Sequence, residues 1–403
     1  MDSAIRLLNV EDTMISRRSF LSLTAATLAT ATAFPLARSA YAATPDTFGL
    51  KLVNNSGSGT VYAYVTGTTP DGRLVLLRAD GTPYYPDSPS APTTPLPEDC
   101  AIPIASGAQV AVPKMGGARI YVVTDAKLDF FLDPGPNLVH PSFLNSGDAN
   151  YGKNWSFSEF TFNDTQLFAN ISYVDFVGIP MGLSLTTSGS GTSTVNGLPA
   201  GALDRIASEL SGLGGEWPGL VQTGGGGNLR VLSPHHHASR FGGYLDGYID
   251  QVWQKYAGTD LVVDSQNPGV GTFTGRVSGD QLVFGAESFA KPATADVWSC
   301  DSGPFALASG ASDARKAIVP RLAAALNRTT LLDNPNQPTG EDPAKFYQGD
   351  VTNHYARIVH SKLPDNRGYA FPYDDVSPGP DFSGAVFAGD PEVLTLTVNA
   401  AHG

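Results

Sequence analysis

Apolar residues in this chain arrive in short runs, and turn residues divide them. Phe48 to Val53, Val61 to Val65, Gln109 to Val112, Arg119 to Val123, Trp155 to Asn163 and Leu167 to Val177 are dense in β-branched or aromatic side chains, as is Asp129 to Asp133. Such side chains suit a pleated, half-buried strand. Between the runs stand clusters such as Asn54 to Gly59, whose Asn and Gly supply tight-turn conformations. The Pro-, Ser- and Thr-rich stretch 80–97 reads as a surface loop. With 44 Gly, 30 Pro and only 16% charged residues, short strands and many turns are expected rather than a helical bundle.

The pattern changes after Ser184 to Gly197, a Ser/Thr/Gly stretch that reads as a linker. Leu203, Ile206, Ala207 and Leu210 then fall on one helical face, and Phe241, Tyr244, Leu245, Tyr248, Val252, Trp253 and Tyr256 continue that spacing over four turns. Thr272 to Val277 and Gln281 to Phe284, joined at Ser278-Gly279-Asp280, predict a hairpin. Ala314 to Asn327 predicts a helix kinked at Pro320, and Asp342-Pro343 an N-cap followed by Pro at the first helical position. Gly384 to Phe387 and Val393 to Val398 return to strand spacing. The fold expected is mainly β with an α/β part: a β domain over 43–195, a mixed α/β domain over 196–350, and a segment 351–403 returning to the β domain. A cleft between such domains is a preferred ligand site.

Ser16-Arg17-Arg18-Ser19-Phe20-Leu21 heads an apolar stretch, Leu21 to Leu36, which ends at the small-x-small pattern Ala40-Tyr41-Ala42. This predicts a twin-arginine signal over 1–42, with a mature chain from Ala43. The stretch is too short and too rich in Ser and Thr for a membrane span of about 20 residues, and no membrane-length apolar run follows. Twin-arginine export carries folded chains, so the remainder is expected to fold unaided and to work in the periplasm or outside the cell. Its formal charge, −13 for the whole chain, argues against nucleic acid and anionic membranes as partners and suits a neutral substrate. Cys100 and Cys300 could pair in an oxidising compartment or stand as two buried small hydrophobes. Nothing has zinc spacing. No repeat or oligomer signal is visible, and monomer is the default.

Two acids stand out. Glu159 sits in Trp155-Ser-Phe-Ser-Glu-Phe-Thr-Phe-Asn163, and Asp175 in Asn170-Ile-Ser-Tyr-Val-Asp-Phe-Val. Each is a lone carboxylate in a strand-like aromatic run, where acids are depleted. A carboxyl buried there would have its pKa raised, as a general acid requires, whereas one on a solvated strand face would not. Trp155, Phe157, Phe168 and Tyr173 can stack on sugar faces, and Thr161, Asn163, Asn170 and Ser172 can bond hydroxyls. In glycoside hydrolysis one acid protonates the leaving oxygen while the other activates water or attacks the sugar. A tight hairpin at Asp164-Thr165 would set Glu159 opposite Asn170 and leave Asp175 about 16 Å further along, at about 3.3 Å per residue. An inverting pair stands about 6.5–9.5 Å apart. A wider connection, or strands meeting across a curved sheet, is therefore expected.

The Glu159 and Asp175 blocks, with Ile179-Pro-Met-Gly-Leu183 and the tail Gly368-Tyr-Ala-Phe-Pro-Tyr-Asp374-Asp375-Val376, resemble glycoside hydrolase family 64. The likeness spans roughly residues 46–400. It implies a thaumatin-like β-barrel or sandwich joined to an α/β domain across a wide groove. It also implies inverting endo-hydrolysis of β-1,3-glucan, often with laminaripentaose as product, and no metal or organic cofactor. Carried over by motif, Glu159 is the general acid, Asp175 the general base, and Thr161 and Asn163 contact glucose units. Phe168 stands where the family often has Trp or Tyr. Trp155, Asn170 and Asp375 are added as groove residues. A non-catalytic glucan-binding protein of thaumatin-like fold is the alternative, and it has no need of two acids.

Other features stay outside this chemistry. His235-His236-His237 reads as a polar loop, since adjacent histidines rarely converge on one metal ion. Gly224 to Gly227 lacks the Lys and Ser/Thr of a phosphate loop and reads as a flexible connection. No Gly-x-Ser-x-Gly elbow is present. Asp374-Asp375 reads as a groove wall ahead of a calcium ligand pair or a solvated turn.

Overall fold

The computed structural model describes residues 44–104 and 108–403, so the twin-arginine run and its cleavage pattern lie outside the described residues. Two open sheets form the first half. One runs in the order Thr192–Val195, Met181–Thr187, Pro391–Asn399, Thr47–Asn55, Ala108–Pro113. The C-terminal strand lies parallel to the first, with Leu50 beside Leu394 and Leu52 beside Leu396, all fully buried. The second sheet runs in the order Ala385–Ala388, Leu167–Asn170, Trp155–Phe162, Met115–Thr124, Val61–Thr68, Leu74–Leu77, Pro83–Tyr84, with Ile102–Pro103 paired to Val61–Thr68. Phe48 of the first sheet meets Phe160 and Phe162 of the second edge-on, with ring centroids 5.8 and 5.2 Å apart. Among the described residues none of the sheets closes on itself, and these two pack face to face as a sandwich.

Thr94–Pro95, Phe131–Asp133 and Asn137–Val139 add a small three-stranded sheet to the first part, and most of the other elements form the α/β part. One sheet orders Glu287–Ala290, Gln281–Phe284, Thr272–Ser278, Leu261–Asp264 and Asn336–Gln337, and the expected hairpin pairs Ser278 with Gln281. The helix Ala202–Gly212 buries Leu203, Ile206, Ala207 and Leu210, the stripe its spacing predicts. The helix Asp313–Asn327 starts at Ser312, whose side chain accepts from Arg315 N, and contains Pro320. The side chain of Asp342 accepts from Ala344 N ahead of the short 3-10 turn Pro343–Lys345. A small sheet of Phe176–Val177, Gly227–Leu232 and Val221–Gly224 joins the two halves.

Three expectations change. The stretch Ser184 to Gly197 is not a linker but part of a hairpin, Met181–Thr187 with Thr192–Val195. Its outer face is polar because it is the sheet edge. There Ser184 and Thr194 share a hydrogen bond of 3.2 Å, and Thr186 and Thr192 one of 3.1 Å. The helix expected from Phe241 begins only at Asp246. Pro234–Phe241 is a 3-10 segment, and Gly242-Gly243, the second at φ 74°, breaks the run between them. Gly224 to Gly227 is the turn of a hairpin, with Gly224 facing Gly227. Cys100 and Cys300 are both buried and are not joined in a disulfide. Among the described residues no helix is long and apolar enough to cross a membrane.

Candidate active site

Glu159 lies in the middle of the strand Trp155–Phe162. Phe160 and Phe162 point into the sandwich, so alternation sends Trp155, Phe157, Glu159 and Thr161 to the other face. Across the sheet Glu159 has Asn170 on one side and Arg119 on the other. Arg119 Nε and Nη2 both donate to Glu159 Oε1, at 3.2 and 3.1 Å. Its Nη1 donates to Tyr121 Oη at 3.1 Å, that oxygen lies 2.6 Å from His140 Nδ1, and the guanidinium sits 4.2 Å over the Phe157 ring. Oε2 of Glu159 has no partner among the described residues.

The hairpin between the two aromatic runs is tight. Asn163 N donates to Gln166 O at 3.1 Å, and Asn163 Oδ1 accepts from Thr165 N and Gln166 N. The wider connection expected from the 16 Å argument does not occur. Instead the strand stops at Asn170 and the chain crosses to the small sheet. Ile171 N donates to Gly384 O at 2.8 Å and Tyr173 N to Tyr369 O at 2.7 Å. Ser233 N donates to Asp175 O at 2.9 Å, and Phe176 and Val177 pair with Leu232 and Val231. Gly384 permits the bend, because a Cβ there would lie 2.4 Å from Ile171 O.

Asp175 therefore stands in the crossover, where His236 Nε2 lies 2.9 Å from its Oδ1. The His236 side chain is only 7% exposed and packs edge-on against Phe143 at 5.0 Å. Arg119 feels both acids. Burial disfavours its charge, yet Tyr121, Glu159 and Asp175 outweigh that and raise its pKa above the ordinary arginine value. Glu159, on its strand, is thus held by Arg119, and Asp175, in the crossover, by His236.

Thr161 and Phe168 face each other across the strands and are half-buried, and Asn163 is exposed. Asn170 is buried beside Glu159. Trp155 is 1% exposed, with Nε1 donating to Asn150 O, and Phe143, Phe176 and Arg230 lie against its ring. Phe157 and Tyr173 are buried as well. Of the four rings read from the sequence as sugar platforms, only Phe168 keeps an open face in this structure. Asp375 is half-buried near the crossover. Tyr369 Oη donates to its Oδ2 at 3.4 Å, and burial with the neighbouring Asp374 pushes its carboxyl above the ordinary range. Asp374 is wholly internal. Its Oδ1 accepts from Arg328 Nη2 at 3.1 Å, its Oδ2 accepts from Ala370 N, and His360 Nε2 lies 2.7 Å from that oxygen. Its oxygens are engaged inside the protein, so Asp374-Asp375 is no calcium ligand pair.

Arg119 and His236 are the two site residues that the sequence reading missed. Arg119 belongs to an ordinary strand run, and the histidine triplet carries no spacing that points to a carboxylate 61 positions away. Two carboxylates, one bonded to a guanidinium and one to an imidazole, with amide and hydroxyl side chains near Glu159, are groups that acid–base glycoside hydrolysis uses.

The chain belongs to glycoside hydrolase family 64, whose family model, described as beta-1,3-glucanase, matches residues 46–398. It is 32% identical over 377 residues to a glucan endo-1,3-beta-glucosidase of Cellulosimicrobium cellulans, covering 90% of this chain and 67% of that protein. A second glucan endo-1,3-beta-glucosidase, from Arthrobacter sp. (strain YCWD3), is 31% identical with the same coverage. Among solved structures, a laminaripentaose-producing beta-1,3-glucanase in complex with laminaritetraose aligns with a TM-score of 0.79 at 35% identity, over 89% of this chain and 99% of that one. A family 64 beta-1,3-glucanase domain from Clostridium beijerinckii shares the fold, with a TM-score of 0.71 at 24% identity over 88% and 98% of the two chains.

Proposed function

We propose that this protein is an exported, inverting endo-β-1,3-glucanase that releases short oligosaccharides such as laminaripentaose from long glucans. The curated relatives and the structure holding laminaritetraose support the substrate class. The observation that carries the mechanism is a pair of carboxylates held by different partners, Glu159 by Arg119 at Oε1 and Asp175 by His236 at Oδ1. His236, at Asp175 Oδ1, favours Asp175 as the ionised member by donating to it. In this reading Glu159 is the proton donor. Arg119 bonds only Oε1, which leaves Oε2 to carry the proton toward the glycosidic oxygen. Asp175 takes a proton from a water that attacks the anomeric carbon from the opposite face, and the C1–O bond breaks as Glu159 protonates the departing oxygen. Thr161, Asn163 and Phe168 lie on the sheet beside Glu159, where they would hold neighbouring glucose units.

Hydrolysis of linear β-1,3-glucan by the purified protein, followed by NMR, tests this reading. Oligosaccharides appearing first as the α-anomer are expected. The β-anomer first would mean retention and overturn the role of Asp175. Glucan binding without any sugar release would favour the non-catalytic reading.

His236 has its own consequence. In His236→Ala the hydrogen bond to Asp175 is lost, and with it stabilisation of the ionised base. Hydrogen bonds to charged groups are worth about 1.5–3 kcal/mol, so the low-pH limb of the kcat profile should move up by about one pH unit or more. His236→Gln, which keeps an N–H donor, should restore part of the shift. An unchanged limb in His236→Ala would reduce the histidine to a packing residue.

A further inference from the structure

Phe387 is 63% exposed, the most open of the large apolar side chains among the described residues. It lies on Ala385–Ala388, the outer strand of the sheet that carries Glu159. In register, Phe387 faces Phe168 and Phe168 faces Thr161, while Ala385 faces Asn170 and Asn170 faces Glu159. Directly opposed residues project to the same side of a sheet. The face therefore carries two rows. One is Glu159, Asn170, Ala385; the next, two residues or about 6.6 Å along the strands, is Thr161, Phe168, Phe387. At the opposite end of the same face Trp155 and Phe157 are covered by Phe143 and Phe176, whereas the phenylalanine row is open at Phe387.

Single exposed apolar residues are common on proteins. Phe387 differs in its setting: it extends a row holding a half-buried aromatic ring and a hydroxyl, on the face of the acid, with no charged side chain in the row. We propose that Phe387 and Phe168 together form an outer binding subsite for the apolar C–H face of a glucose unit of a β-1,3-glucan chain, reached only by chains long enough to extend past Thr161. This rests on the glucanase reading above. It makes Phe387 a determinant of chain-length preference and leaves the chemical step at Glu159 and Asp175.

Phe387→Ala tests it, with kinetics on a series of linear β-1,3-gluco-oligosaccharides and on long glucan. KM should rise by about tenfold on long glucan, as expected for loss of one ring contact. The rise should shrink as the chain shortens and vanish for oligosaccharides too short to reach the row. Phe387→Trp should hold or lower KM on the same long chains. The same KM change at every length, or none on long glucan, overturns the proposal. So does a fall in Tm of Phe387→Ala that accounts for the loss. Retardation of Phe387→Ala and wild type in gels containing β-1,3-glucan reads the subsite without turnover. If wild type is retarded more strongly but releases no sugar, the catalytic reading fails while the subsite stands.

Discussion

Glu159→Gln should lower kcat on β-1,3-glucan by about 10²- to 10⁴-fold, the usual contribution of a positioned proton donor, with Tm unchanged. The amide oxygen of Gln can keep both Arg119 donors, so the substitution removes the proton and little else. Asp175→Asn should cost a similar factor by removing the base while leaving an acceptor for His236. A substrate whose leaving group needs no proton, such as an aryl β-1,3-glucoside, separates the roles. It should recover much of the rate in Glu159→Gln and none in Asp175→Asn. Near-normal turnover of β-1,3-glucan by either variant would sink the assignment of that residue.

The largest stability effect should come from Arg328→Met. Arg328 ends the helix Asp313–Asn327, and its side chain is 1% exposed. It donates to Asp374 O at 2.7 Å, to Asp374 Oδ1 at 3.1 Å and to Glu341 Oε2 at 3.4 Å, and lies 4.5 Å over the Phe346 ring. Removing it takes the guanidinium from two buried acids, although Asp374 keeps Ala370 N and His360. Losing one partner of a buried ion pair costs about 3–5 kcal/mol, so urea denaturation should show a loss of that order. Adding Asp374→Asn and Glu341→Gln to Arg328→Met should recover part of it, because the stranded charges go too. A loss below about 1 kcal/mol in the single variant would mean that the cluster contributes no more than a surface pair.

The same cluster makes the wild type acid-sensitive. Burial alone would raise the carboxyl of Asp374, but His360, Arg328 and the Ala370 N–H outweigh it and hold it below the ordinary range. An acid with a depressed native pKa contributes stability above its unfolded pKa and loses it as pH falls through the native one. Glu341 acts oppositely, since burial outweighs Arg328 and pushes it up. Asp374 is therefore the member whose protonation unties the tail segment 371–376 from the helix end.

The course of the strands could be read from the sequence where one face is buried. Leu50, Leu52, Phe160, Phe162, Leu394 and Leu396 alternate with less buried neighbours, and all six are core. The reading failed where burial gives no signal. The edge hairpin Met181–Thr187 and Thr192–Val195 exposes Ser and Thr, which look the same in a loop. The start of the helix Asp246–Gly258 was missed because apolar spacing continued through Gly242-Gly243, where the backbone does not.

What the sequence determined by itself was local: mainly β patterning and lone carboxylates at Glu159 and Asp175, with Glu159 opposite Asn170 only on the condition of a tight turn, which the structure supplies. These follow from side-chain alternation and turn chemistry within a few residues. The tertiary structure decided the rest. The bend at Asn170 is held by Gly384 and Tyr369, about 200 positions away. The guanidinium on Glu159 comes from Arg119, 40 positions before it, and the hydrogen bond to Asp175 comes from His236, 61 positions after it. Contacts at that separation leave no period or spacing in the chain, because they form only when the sheets and the segments between them pack.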